Sequence, residues 1–109
     1  MNSLEKKQTI SLGSVAVASG ELVAANLDGE VVILGFKSGS YYSLDQVGVF
    51  VWDLLQEPRT VSDIRDAIFE EYDVELAQCE RDLLALLGEL ADKQLIEIKN
   101  DPATWNIAA

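Results

Sequence analysis

The order of patterns along the chain predicts an α+β domain: a small winged helix-turn-helix, with a three-stranded antiparallel sheet followed by three helices. Three observations predict it. Asp28-Gly29 stands between two β-prone runs, the strongest short-range hairpin signal. After Asp45 the apolar residues change from alternation to the three-and-four spacing of a helix. Beyond Pro58 two closely spaced helical patterns follow, as in a helix-turn-helix pair.

Taken in order, residues 1–12 are expected to be a flexible N-terminus, 13–99 the domain, and 100–109 a flexible tail carrying Trp105. Residues 15–18 (VAVA) form a short extended piece before the turn at Ser19-Gly20. Residues 22–27, 30–36 and 40–44 make the meander, with Asp28-Gly29 and the KSGS stretch at 37–40 as its turns. Asp45 is placed to cap the first helix, because its carboxylate can accept a free backbone N–H. Val47, Phe50, Val51, Leu54 and Leu55 give that helix its apolar face, and Pro58 closes it. Thr60 to Asp63 resembles a capping box, with Asp in place of Glu. Ile64, Ala67, Ile68 and Tyr72 form one face of the second helix, and residues 72–74 turn the chain. The third helix is expected over 75–93, and residues 95–99 alternate as a short extended strip.

At 109 residues the chain is long enough for one modest core without disulfides or metals. It holds one cysteine, Cys79, and no histidine. The usual general base near neutral pH is therefore missing, and Cys79 has no histidine to activate it. Cys79 falls on the apolar face with Leu83 and Leu86, the setting of a small buried residue rather than a nucleophile. Glu70 and Glu71 are adjacent on a helix and point apart, so they form no carboxylate pair. No phosphate-loop spacing occurs. The expectation is a protein that is not an enzyme and uses no cofactor or metal. The net charge of −11 argues against a phosphate backbone as partner, since that binding relies on Lys and Arg, and leaves a winged-helix DNA-binding regulator as the alternative reading. Glu75, Gln78, Glu80, Arg81, Asp82 and Glu89 make the exposed side of the third helix acidic on balance, which weighs against nucleic acid even for a winged helix. No signal peptide or membrane-length apolar run is visible, so the cytoplasm is the expected location.

Peptide binding remains. Leu76, Cys79, Leu83, Leu84, Leu86, Leu87, Leu90 and Ala91 spread over roughly 160° of the third helix, whereas one core contact needs about 100°. The excess either makes a second core contact or lines a groove beside the sheet. Alternation puts Tyr42 and Leu44 on one face of their strand and Tyr41 and Ser43 on the other. That strand carries no Lys, Pro or bulge to protect its edge. Unless residues 15–18 or 95–99 cover it, the edge is open to an extended peptide or to a second copy in a homodimer.

Several stretches together resemble the PqqD-like proteins, the recognition domains for ribosomally made and modified peptides. These are the G-x-Y-Y-x-L-D run at 39–45, Gly48 with Val51-Trp52, R-T-V-x-D-I at 59–64, Tyr72 with Val74, and Asp82 with Leu83. The likeness covers about residues 22–98 and is nearest to the stand-alone leader-binding proteins of lasso-peptide pathways. It implies a non-catalytic domain that binds the leader segment of a precursor peptide. The leader would add antiparallel to the strand at 40–44, rest against the third helix, and be presented to a separate leader protease of the cysteine-protease type. Carried onto this chain, the edge is Ser40, Tyr41, Tyr42, Ser43 and Leu44. The groove wall, drawn from the helical wheel, is Cys79, Asp82, Leu83, Leu86, Leu87 and Leu90. The chain departs from the pattern at Gln94, where the family often ends the third helix with a left-handed glycine. Gly88, in the middle of that helix, costs about 1 kcal/mol relative to Ala.

Overall fold

The computed structural model describes residues 10–20, 22–27, 30–35 and 39–100. The Asp28-Gly29 turn, the first half of the KSGS stretch and Trp105 lie outside them. Six strands and three helices follow one another as β1 (Val15–Ala18), β2 (Leu22–Leu27), β3 (Glu30–Gly35), β4 (Tyr41–Leu44), α1 (Gln46–Leu54), β5 (Arg59–Thr60), α2 (Val61–Glu71), α3 (Leu76–Asp92) and β6 (Ile96–Lys99). The expected meander is the antiparallel sheet β2-β3-β4, in register from Leu27↔Glu30 to Leu22↔Gly35 and from Val31↔Leu44 to Leu34↔Tyr41.

A second three-stranded sheet, β5-β1-β6, accompanies it. Residues 15–18 and 95–99 therefore do not cover β4: β1 pairs with β6, Ala16 opposite Ile98, and with β5, Val15 opposite Thr60. Strands of two and four residues are too short to announce their partners by period. Among the described residues only β3 pairs with β4.

Local chemistry sets the helix ends. Asp45 caps α1, its Oδ1 accepting from the Gly48 N–H at 2.8 Å. Thr60 caps α2 by accepting from the Asp63 N–H at 3.1 Å. The end of α3 is a Schellman motif: the Leu95 N–H donates to Leu90 O and the Gln94 N–H to Ala91 O, with Gln94 left-handed at φ 63°. Gln94 thus does what glycine does elsewhere.

The core lies between the helices and the two sheets. Ile33, Val51, Leu55, Val61, Ile64, Leu87, Leu90 and Leu95 are fully buried in it. Ile96 and Ile98 of β6 also face inward, with Glu97 and Lys99 exposed. Ile10 and Leu12 pack against the same core, and Leu12 O accepts from the Ser62 N–H at 3.0 Å. The N-terminal arm drawn at 1–12 therefore includes residues that belong to the packed domain. Arg65 holds α2 to α3 through Glu80, at 2.8 Å, while also pairing with Asp66.

Candidate functional site

β4 runs directly into α1, and α3 crosses beside both. Between them opens a cleft of about 450 Å³, within the size range of specific ligand sites. Tyr42, Ser43 and Leu44 of β4 form one side. Asp45 and the start of α1, with Val47, Gly48 and Val51, continue it. Ile68 and Val74 close the α2 side, and α3 supplies Gln78, Cys79, Asp82, Leu83 and Leu86.

Seven of the eleven residues expected from the sequence meet here: Tyr42, Ser43, Leu44, Cys79, Asp82, Leu83 and Leu86. Four do not line the cleft. Tyr41 points to the opposite face of the sheet and is 66% exposed. Ser40 precedes the strand, and its carbonyl accepts from the Gly35 N–H. Leu87 and Leu90 are turned into the core. Leu87 lies about 80° round the helix from Cys79, and Leu90 sits in the last turn, beneath Leu95. The apolar arc of α3 therefore serves two surfaces at once.

Gly48, Val51 and Val74 are wall residues that pattern alone did not assign to the site. Gly48 had a readable signal in its position three residues after a cap. A Cβ there would stand 3.0 Å from Leu44 Cδ2 and 3.2 Å from Leu44 Cβ, so glycine lets α1 approach β4.

The Tyr42 hydroxyl donates to the Glu89 carboxylate, tying β4 to α3 at one end of the cleft. This bond, with desolvation and the charges of Glu89 and Asp45 behind it, pushes the phenol up to about 12. Tyr42 is a neutral donor throughout the physiological range. Burial raises the Cys79 pKa, and the Asp82 carboxylate adds to the rise. The thiol points toward Arg65 O at 4.0 Å and stays protonated at neutral pH, so it is a wall atom and not a thiolate. Among the described residues no group of three or more His, Cys, Asp or Glu is arranged to hold a metal ion.

The arrangement combines an apolar trough with a strand whose outer backbone groups have no strand partner among the described residues. Such an arrangement suits an extended chain that supplies side chains to the trough and main-chain groups to the strand.

The class of protein that this fold and cleft define is matched by comparison with known proteins. The family model described as coenzyme PQQ synthesis protein D (PqqD) matches residues 30–96, and the chain belongs to the PqqD family. It is similar to TbiB1 in complex with the TbiA(β) leader peptide, at 43% identity over 74% of this chain and 94% of that one, with a TM-score of 0.65. It is also similar to a lasso peptide synthetase B1 complexed with the leader peptide, at 26% identity over 75% and 96%, TM-score 0.64. The third likeness is to the PqqD truncation of Methylobacterium extorquens PqqCD, a functional stand-alone recognition element for ribosomally synthesized and post-translationally modified peptides. There the identity is 26% over 84% and 98%, with a TM-score of 0.70. No curated protein matches the chain.

Proposed function

We propose that this protein binds the leader segment of a ribosomally made precursor peptide, of the lasso class, and acts without catalysis of its own. The observation that carries this reading is the β4 edge beside an apolar cleft, in a chain 43% identical to a protein solved with a leader peptide. The leader adds antiparallel to β4. Its inward side chains enter the trough between Leu44, Val51, Leu83 and Leu86, and its main chain completes the ladder. Backbone pairing is blind to side chains, so selectivity comes from the trough.

The bound precursor is then presented in the cytoplasm to a separate leader protease of the cysteine-protease type. An apolar surface for such a partner exists on the outer face of the sheet, where Leu34 and Tyr41 are cross-strand neighbours and both exposed. Dimerisation through β4 would use the same edge as the leader, so the two occupants compete.

Titration of a fluorescently labelled precursor leader peptide tests the reading. Leu86→Asp is the informative variant because Leu86 lines the cleft but is only half-buried, whereas Leu83 also belongs to the core. The affinity should fall about tenfold or more, from loss of one buried apolar contact of about 1.5–3 kcal/mol. Leu34→Lys, on the far face, should leave it unchanged. Equal affinity for wild type and Leu86→Asp would reject the cleft as the leader site.

A further inference from the structure

We propose that Tyr42 and Glu89 are positioning residues for the guest peptide: their hydrogen bond fixes the spacing of β4 and α3, the two walls of the cleft. This rests on the leader-binding reading and gives a role to Glu89, which does not itself line the cleft.

β4 is the outlying strand of its sheet, and only β3 pairs with it among the described residues. The sheet is anchored in the core through β3, where Ile33, opposite Tyr42 in the ladder, is fully buried. The C-terminal end of β4 is also fixed. Leu44 is buried against Gly48, and Asp45 caps α1. The approach of β4 to α3 is left to side chains, because the two elements share no backbone hydrogen bond. Among the described residues one side-chain hydrogen bond joins them, from the Tyr42 hydroxyl to the Glu89 carboxylate, and no salt bridge does.

The bond engages the stripe of α3 that walls the cleft. Asp82, Leu86 and Glu89 follow one another at intervals of four and three, so they are neighbours along one side of the helix. Asp82 and Leu86 line the cleft, and Glu89 stands one turn beyond Leu86. Spacing matters in such a trough. Splaying the walls by 0.5–1 Å forfeits roughly a quarter to a half of each dispersion contact with a guest side chain. Closing them buries apolar wall and removes the room for one. A hydrogen bond to a carboxylate has a narrow range of length and angle, and so opposes both movements.

The test is a double-mutant cycle. Affinity for the fluorescently labelled leader peptide is measured in wild type, Tyr42→Phe, Glu89→Leu and the double variant. Phenylalanine keeps the ring in the wall and removes only the hydroxyl. The bond is exposed, so the fold should persist without it, which the melting temperature checks. Each single variant should bind the leader about three- to tenfold more weakly. The double variant should bind no more weakly than either single one. Glu89→Gln, which keeps an acceptor for the phenol, should restore most of the affinity lost in Glu89→Leu. Additive losses would mean that the two side chains meet the guest separately. Equal loss in Glu89→Gln and Glu89→Leu would mean that the guest reads the charge itself. Tighter binding in the single variants would mean that the bond is a latch the guest must open, and unchanged binding that it has no part. Each of these overturns the inference and leaves leader binding standing. A wild-type protein without affinity for the leader overturns both.

Discussion

Gln94 holds a backbone conformation that costs an L-residue roughly 1–2 kcal/mol and glycine almost nothing. It is held there by the two Schellman hydrogen bonds and by burial of Leu90 and Leu95. Gln94→Gly should therefore stabilise the protein by about 1 kcal/mol in a denaturant titration, with unchanged leader affinity. The left-handed need at position 94 was legible only as a missing glycine. Propensity alone cannot show that packing on either side will force a glutamine into that region. Tyr42 makes a second prediction at this scale. Its folded pKa of about 12 exceeds the ordinary value near 10. The stabilisation from its bond to Glu89 is thus fully present below pH 10 and is lost as pH rises through about 12. Ultraviolet titration should show a tyrosine ionising near pH 12, and Glu89→Leu should bring that transition back toward 10.

Helix α3 divides its apolar surface between two neighbours, and the division separates adjacent residues. Leu87 is fully buried in the core, while Leu86 lines the cleft. Leu87→Ala should destabilise the fold by about 2–5 kcal/mol. Leu86→Ala should cost less stability and lower leader affinity more, a contrast that paired denaturation and binding titrations measure. Gly88 has open space where a Cβ would stand. Gly88→Ala should add about 1 kcal/mol of helix stability without loss of affinity. The breadth of the α3 arc was visible in the spacing of its leucines, and so was the unprotected strand from Tyr41 to Leu44. Which leucine serves which surface was not visible, because it depends on where β4 and β6 lie across the helix. The sheet of β1, β5 and β6 was hidden for a related reason: its strands are short, and their pairing joins distant parts of the chain.

At the scale of the whole molecule, the two sheets divide the work. The β5-β1-β6 sheet ties residues near both ends of the described chain into the core, with Ser14 Oγ donating to Asn100 Oδ1 at 2.5 Å beside it. The β2-β3-β4 sheet keeps one edge, β4, beside the cleft. No helix among the described residues is long and apolar enough to cross a membrane. The most direct measurement is amide hydrogen exchange across Tyr41–Leu44 with and without the leader. Pairing of a guest strand predicts slowed exchange at the β4 amides that face away from β3, together with slowed exchange in the leader itself. Tight leader binding that leaves every β4 amide exchanging at its free rate would contradict strand addition at this edge.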